Sequence, residues 1–314
     1  MQLSDNMRGA FFMMLSVVAF AVFAIFQLAV LRSVPLFQAT MIQGATATVL
    51  LLAIVAFRRE MSFDLSNKDW MMVALRSCTE TGAIIGYLYA LKYLWVGNVL
   101  FALQLAPLII TFSVSGILKE NVRGKHYVML ALGLAATLFV LQPTGVPSEG
   151  LDNYLLIAKA FGLWTAIKSI FFDHFSIYVV FAIIPLGFIV LRDVATRNLS
   201  QKAGSSIVAL ITAGAMTMTG AIGTMSAGWS NFDPIDLIPL AISGTLLVGV
   251  FLFGIIAMRL GEVGVVQYYR HFAPVIAVSI GLVLFGEQFS GQVLVGCLVI
   301  VGIGACGLLT RKPL

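Results

Sequence analysis

The sequence predicts an all-α integral membrane protein with ten transmembrane helices arranged as two inverted five-helix repeats. Three observations lead to this prediction: an apolar composition, ten segments of membrane-spanning length and an internal repeat of 31 residues. Of the 314 residues, 60% are hydrophobic and only 11% are charged. Because a soluble domain carries about 25% charged residues, the composition indicates a chain that lies mostly within a lipid bilayer.

Ten segments qualify as spans, since a helix of about 20 apolar residues crosses the hydrocarbon core of a bilayer. Eight contain no charged residue: 9–31, 33–57, 93–118, 127–148, 175–191, 203–232, 237–258 and 288–310. Two further segments contain charges, roughly 70–91 with Arg76 and Glu80, and roughly 263–285 with Arg270 and His271. An even number of spans places both termini on the same side of the membrane.

Lysine and arginine residues are concentrated in alternate loops. One group of loops contains Arg8, Arg58, Arg59, Lys68, Lys119, Arg123, Lys125, Arg192, Arg197, Lys202, Arg259, Arg311 and Lys312. The opposite loops contain only Arg32, Lys92, Lys159 and Lys168. Because basic loops remain cytoplasmic, both termini are predicted to be cytoplasmic, in a plasma membrane or a bacterial inner membrane. The net charge of +5 follows from this loop pattern, and no nucleic-acid partner is predicted.

Residues 149–174 do not fit the ten spans, because this apolar segment is interrupted by Asp152, Lys159, Lys168 and Asp173. An additional span here would reverse every later loop and place the next cluster of arginines outside. We therefore expect an external helix that lies in the membrane interface.

The segments 90–120 and 257–287 align without a gap. Eight positions are identical: Ala90/Ala257, Val96/Val263, Gly97/Gly264, Val99/Val266, Ala106/Ala273, Pro107/Pro274, Ile109/Ile276 and Glu120/Glu287. Basic residues follow only the first copy, so the copies are predicted to cross the membrane in opposite directions. Inverted repeats are typical of secondary transporters, whose substrate site lies near the midplane between the halves. The predicted organisation is a first repeat at 1–148, the insertion at 149–174 and a second repeat at 175–314.

Short motifs recur in both halves. They are Ala90-Leu91, Val96-Gly97-Asn98, Ala106-Pro107 and Glu120 in the first, and Ala257, Val263-Gly264, Ala273-Pro274, Phe285-Gly286-Glu287 and Gly296 in the second. These motifs resemble the drug/metabolite transporter superfamily, in its EamA-type branch. The resemblance implies ten helices in two inverted repeats and the movement of small metabolites by alternating access. Arg76 with Glu80-Thr81, and Arg192-Asp193 with Thr196-Arg197, are similar to a subgroup that includes riboflavin- and S-adenosylmethionine-type carriers.

Charged residues within the third span are candidates for substrate binding. Arg76 and Glu80 are one helical turn apart and share a face, with Tyr87 about two turns further along. A charge in the middle of a membrane helix costs about 2.5–3.5 kcal/mol on insertion scales, so such residues usually face a bundle interior or a wet cavity. Glu80 is predicted to contact substrate or carry a coupling proton. Alternatively, Arg76 reaches the lipid headgroups and merely neutralises Glu80.

Arg270 and His271 are the corresponding candidates in the ninth span. Adjacent helical residues point about 100° apart, so only one is expected to face the cavity squarely, and we favour Arg270. Their repeat counterparts, Leu103 and Gln104, are uncharged and are expected nearer the outer face. Gln104, Gln267 and Tyr268 offer amide and phenol groups that orient a small ligand, although interhelical hydrogen bonding explains each of them equally well.

Pro107 and Pro274 interrupt two spans at matched positions, and each removes a backbone donor. We predict hinges there, with static kinks as the alternative. The sequence shows no arrangement of catalytic residues, no phosphate-binding loop and no metal-ligand spacing, so neither an enzyme nor a cofactor is predicted.

These features together predict a secondary active transporter that moves a small anionic or zwitterionic metabolite across the bilayer. Without a nucleotide-binding loop, uphill transport would use a coupling ion, a proton or sodium, or exchange. Two alternatives stay open: a riboflavin- or S-adenosylmethionine-like carrier, in which Glu80 recognises a cationic or polar group, and a non-transporting membrane scaffold or sensor. A homodimer is compatible with either reading.

Overall fold

The computed structural model describes residues 4–30, 33–61, 64–93, 96–141, 180–286 and 289–309, and most of these are helical, with no strand among them. The helices are α1 Asp5–Val30, α2 Leu36–Phe57, α3 Asn67–Tyr93, α4 Val96–Leu103, α5 Ala106–Ile117, α6 Gly124–Leu141, α7 Val180–Arg197, α8 Ser205–Ala227, α9 Leu237–Leu260, α10 Val263–Tyr268, α11 Phe272–Phe285 and α12 Gly291–Leu309. Short 3-10 turns occupy Pro234–Asp236 and Tyr269–His271. The insertion predicted at 149–174 lies outside the described residues.

Long apolar helices are the main evidence for a membrane protein. Four segments of the described chain are long and apolar enough to span: Asp5–Gln27, Leu36–Phe57, Ser205–Ala227 and Pro234–Leu260. Ala106–Ile117 and Gly291–Cys306 are shorter apolar helices. The all-helical membrane class is thereby confirmed, while the ten-helix count stays a prediction.

The helices pack mainly in pairs. α1 packs most extensively against α9, α3 against α7, α2 against α8, and α6 against α12. Polar side chains reinforce the contact between α2 and α8, where the hydroxyl oxygens of Thr48 and Thr217 are 3.2 Å apart. Because hydrocarbon offers no hydrophobic driving force between helices, close packing and such hydrogen bonds hold the bundle together.

A shift of 167 residues relates the helices of the two halves. Adding 167 to the bounds of α6, Gly124–Leu141, gives 291–308, and α12 occupies Gly291–Leu309. The same shift brings α2 onto α8 and α3 onto α9 to within three residues at each end. The repeat of the sequence therefore extends, as a repeat of helix positions, beyond the segments that are similar in sequence.

Two breaks at matched positions bring irregular backbone into the bundle. Two residues separate α4 from α5, and Pro107 is the second residue of α5. The second break is the 3-10 turn Tyr269–His271, with Pro274 the third residue of α11. Proline is well tolerated in a first helical turn, where its missing N–H would be unpaired in any case. Both prolines thus mark where a new helical segment begins.

Candidate functional site

A cavity lies in the centre of the bundle, between α1, α3, α7, α9 and the two breaks. Its volume is about 130 Å³. One buried water molecule needs about 10–15 Å³ of such cavity volume. The cavity therefore has room for a ligand of roughly ten non-hydrogen atoms. The lining residues are Met13, Ser16, Val17, Phe20, Arg76, Glu80, Leu103, Gln104, Ala106, Ile189, Arg192, Asp193, Thr196, Val250, Gly254, Met258, Arg270 and Ala273.

Glu80 joins two arginines on one side of this cavity. Its Oε2 is 3.3 Å from Nη2 of Arg76, one turn earlier on α3, and its Oε1 accepts a hydrogen bond of 2.9 Å from Nη1 of Arg192 on α7. Arg76 also donates a hydrogen bond of 2.7 Å to the Thr212 hydroxyl on α8. The predicted shared face of Arg76 and Glu80 is confirmed, and it ties three helices together.

Asp193 joins two arginines on the other side. Its Oδ1 accepts a 2.8 Å hydrogen bond from Nε of Arg192, and its Oδ2 is 2.5 Å from Nη2 of Arg270. The Gln267 amide donates to the same Oδ2 at 3.2 Å. Arg192 therefore bridges both carboxylates, and cations and anions alternate from α3 through α7 to the second helix break.

The carboxylates lie behind the guanidinium groups. The side chains of Glu80 and Asp193 are only 5% and 3% exposed, whereas those of Arg192 and Arg270 are 15% and 18% exposed. Arg76 is as buried as its partner, at 4%. The polar wall of the cavity thus presents two guanidinium groups to its interior. Such groups bind planar anions through paired hydrogen bonds.

The structure brings four of the eight predicted binding residues to the cavity: Arg76, Glu80, Gln104 and Arg270. The other four lie just outside its lining. Gln267 touches the site indirectly through its bond to Asp193. Tyr87 is buried against Phe20, with ring centroids 6.1 Å apart, and Phe20 itself lines the cavity.

Tyr268 and His271 are enclosed by neighbouring helices. The Tyr268 hydroxyl donates to the backbone oxygen of Ile300 on α12. His271 is fully buried, and its Nδ1 is 3.0 Å from Oε1 of Gln104. As expected from their angular separation, Arg270 faces the cavity and His271 does not. The expectation that Gln104 lies nearer the outer face than His271 is wrong, because their contact places them at the same depth.

Sequence reasoning missed Arg192 and Asp193 as members of the site. Arg192 was assigned to a cytoplasmic loop, where membrane orientation alone explains a basic residue, and Asp193 was noted only in the motif that is similar to a subgroup of carriers. The sequence did contain a signal for this pair. Membrane orientation explains an arginine at the edge of an apolar segment, but it does not explain the aspartate beside it. Its helix, α7, continues past this pair to Arg197 and so carries the pair into the bundle.

Arg197 fastens the end of α7. It binds Glu120 through two hydrogen bonds of 2.6 and 3.2 Å, and it donates to the backbone oxygens of Met258 and Gly261 at the end of α9. A cation at a helix C-terminus pairs with the carbonyls that the helix leaves unbonded. This clamp fixes the depth at which α7 presents Arg192 and Asp193.

Asp69 forms a separate polar contact just before the predicted third span. It accepts hydrogen bonds from the Ser200 backbone N–H at 2.9 Å and from the hydroxyls of Ser66 and Ser200, each at 2.7 Å. These donors, led by the backbone N–H, stabilise the carboxylate and lower its pKa from 3.8 to about 2. In the described part of the chain, no three His, Cys, Asp or Glu side chains are grouped to hold a metal ion.

Residues 7–142 match the model of the EamA-like transporter family. The family resemblance inferred from the sequence is thereby confirmed, and the model that these residues match is that of a family of membrane transporters. The chain is similar to one solved crystal structure, with a TM-score of 0.75 and 17% sequence identity. The alignment covers 97% of this chain and 99% of the chain in that structure. At that identity the likeness shows the fold alone. No curated protein matches the chain at a significant level.

Proposed function

We propose that this protein is a secondary active transporter for a small anionic or zwitterionic metabolite, whose anionic group binds Arg192 and Arg270 in the central cavity. The observation that carries the proposal is the layering of charge. Both arginines face the cavity, while the carboxylates that neutralise them are nearly inaccessible behind them. An anion entering the cavity therefore meets donors first, in a site where little water competes for them.

Arg76 and Glu80 have a supporting role in this proposal. Glu80 is held by Arg76 and Arg192 together, so a ligand cation would have to displace both arginines to reach it. This geometry disfavours the alternative in which Glu80 recognises a cationic group of a riboflavin- or S-adenosylmethionine-like ligand. Glu80 instead holds Arg192 in place, and it is the candidate for a proton-coupling carboxylate.

Two inverted five-helix repeats, at 1–148 and 175–314, are part of the proposal. The hydrogen bond between Gln104 and His271 supports it, because these residues occupy equivalent positions 167 residues apart. Two equivalent positions touch when both lie close to a pseudo-twofold axis. The pairing of α1 with α9 and of α3 with α7 supports it too, since exchanging the halves converts one pair into the other.

Alternating access would follow from this arrangement. Rocking of the two halves about Pro107 and Pro274 would open the cavity to each side in turn, with the energy supplied by a proton or sodium gradient or by exchange. The proposed location is a plasma membrane or bacterial inner membrane with both termini cytoplasmic. A homodimer is compatible with the proposal but not required by it.

Flux into proteoliposomes tests the proposal directly. Labelled anionic, zwitterionic and cationic metabolites would be offered to the wild type, to Arg270→Gln and to Lys202→Gln, a control that removes a cation from an exposed loop. We expect saturable uptake of an anionic class, lost in Arg270→Gln and retained in Lys202→Gln, with both variants monodisperse. Absence of flux for every class would favour the membrane scaffold, and flux that survives Arg270→Gln would exclude the assigned site.

A further inference from the structure

The balance of charge around the cavity is uneven. Three arginines and two carboxylates are the ionisable side chains among its lining residues in the described chain. Each carboxylate is shared by two arginines, and Arg192 is common to both. One positive charge is therefore left in excess at the wall.

Asp193 determines where the excess charge lies. Arg76 also lines the cavity, but its side chain is only 4% exposed and is bound by Glu80 and Thr212, so it offers little surface to a ligand. Arg270 is 18% exposed, and Asp193 binds it through a single nitrogen, Nη2. Its remaining guanidinium N–H groups have no hydrogen-bond partner among the described residues, so they can hold one further anionic group from the cavity side.

The rest of the cavity has little to offer a second charge. Apolar side chains of α1 and α9, among them Met13, Val17, Phe20 and Val250, form the wall away from the arginines. Burying an unpaired charge against such a surface costs several kcal/mol. A ligand with a second charged end is thus penalised whatever the sign of that charge.

We infer that the cavity selects ligands with a single anionic group and a short apolar body, and that Asp193 sets this limit of one negative charge by occupying Arg270 from behind. The inference rests on the proposed anion site and narrows the proposed ligand class from anionic or zwitterionic to anionic, with a single negative charge and a short apolar body. It makes Asp193 a specificity-determining residue, which acts on the ligand through Arg270.

Three probes with the same six-carbon chain test the charge limit: hexanoate, adipate and 6-aminohexanoate, which end in a methyl, a second carboxylate and an ammonium group. All three are within the size that the cavity admits. Thermal stabilisation of the purified full-length protein at neutral pH reports their relative affinities. We expect hexanoate to bind the wild type at least about tenfold more tightly than either doubly charged probe. Equal binding of adipate would overturn the inference without any variant.

The Asp193→Asn variant tests the role of the counter-ion. It frees Arg270 and adds one positive charge, so the preference for hexanoate over adipate should fall by about tenfold or more, the worth of one charge-assisted hydrogen bond. Asp69→Asn is the matched control, since it removes a carboxylate outside the cavity. An unchanged preference in Asp193→Asn, or an equal change in Asp69→Asn, would overturn the inference.

Failure of the proposed function has a different signature. If none of the probes stabilises the wild type, or if hexanoate binds Arg270→Gln as well as the wild type, the anion site itself is excluded. If hexanoate binding requires Arg270 but the preference for hexanoate over adipate is the same in Asp193→Asn as in the wild type, the anion site is supported and only the charge limit is excluded.

Discussion

Each buried arginine, aspartate and glutamate side chain that the structure describes is held by more than one partner. Arg76 and Glu80 are 4% and 5% exposed, and a lone charge so buried would cost several kcal/mol. Glu80 accepts from two arginines and Arg76 donates also to Thr212, so neither depends on one contact. Shared partners make the energies of these residues interdependent.

Glu80→Gln should be strongly destabilising, because Arg76 then loses its anionic partner and Arg192 keeps only Asp193 as one. Removing one partner of a buried ion pair costs about 3–5 kcal/mol. Arg76→Met should cost less, since Glu80 retains Arg192. The double variant Arg76→Met with Glu80→Gln removes both members of the pair. Its loss in free energy of unfolding should therefore be smaller than the sum of the losses in the two single variants.

Unfolding of the four proteins in detergent would measure these free energies. A double variant that loses less stability than the two single variants combined would support the ion pair between Arg76 and Glu80. Strict additivity would show that Arg76 and Glu80 do not interact across this turn of α3.

The hydrogen bonds to Asp69 predict a dependence of stability on pH. The folded state holds the pKa of this carboxylate at about 2, below its ordinary value of 3.8. The native carboxylate therefore contributes stability above about pH 4, and this contribution is lost as the pH falls through about 2. Asp69→Asn should lower Tm at neutral pH, and the difference from the wild type should shrink over that interval.

Thermal melts between neutral pH and pH 2 would measure this difference. Asp5→Asn is the control, because the side chain of Asp5 is 73% exposed. A Tm difference for Asp69→Asn that stays constant down to pH 2 would contradict the assignment of the lowered pKa to these hydrogen bonds.

Residue types and helical spacing predicted part of the site. Arg76 and Glu80 were accessible to such reasoning because a charge within an apolar span is costly and their spacing puts them on one face. The angle between neighbouring residues predicted that only one of Arg270 and His271 faces the cavity, and the separate preference for Arg270 agrees with the structure. Arg192 and Asp193 were missed despite the acid beside the arginine, because loop orientation also explains an arginine there and only tertiary packing turns it inward. For Tyr268 the sequence left packing and ligand contact open, and the structure shows packing.

The helices were predictable because their apolar segments are long, and the breaks were predictable because proline recurs at matched positions. Their ends were less so. The span predicted at 127–148 begins as α6 at Gly124, and the one predicted at 175–191 continues as α7 to Arg197. Hydropathy does not register polar residues that extend a helix beyond its apolar part, and α7 gains its last turn from the Arg197 clamp.

The crossing of α2 and α8 depends on a glycine. A Cβ at Gly220 would lie 2.6 Å from the Cα of Met41, which is backbone and cannot move aside. Gly220→Ala should therefore force the helices apart and destabilise the protein by about 1–3 kcal/mol. Gly214, on the same helix, has no heavy atom within 4 Å of its would-be Cβ.

Gly214→Ala is accordingly the matched control, and it should be neutral or slightly stabilising, since alanine favours helix over glycine. Tm values of the two variants in the same detergent would decide the matter. Equal Tm values for Gly214→Ala and Gly220→Ala would contradict the close approach of α2 and α8.

At the scale of the whole molecule, the two halves meet through equivalent parts. The two breaks touch through Gln104 and His271, and the equivalent positions Leu103 and Arg270 both line the cavity. Of these two lining positions, only Arg270 in the second half is charged. In the proposed mechanism, the two halves would move alike while Arg192 and Arg270, both in the second half, hold the ligand.

The proposed topology makes a prediction about the two ends of α8. This helix, Ser205–Ala227, is long enough to cross the bilayer, so its flanking loops should lie on opposite sides. Lys202 and Asn231 are exposed residues in these loops. Lys202 follows a cluster of arginines and is predicted to be cytoplasmic, whereas Asn231 lies in a loop without lysine or arginine and is predicted to be external.

Single cysteines at these two positions would test it, with Cys78, Cys297 and Cys306 replaced by serine or alanine. A membrane-impermeant maleimide added to intact cells should label the Asn231→Cys variant and leave Lys202→Cys unlabelled, and both should react once the membrane is permeabilised. The reverse labelling pattern would show that the protein has the opposite orientation in the membrane, because successive loops lie on alternate sides. Labelling of both positions in intact cells would show that α8 does not cross the membrane, and the proposed inverted repeat could not then hold.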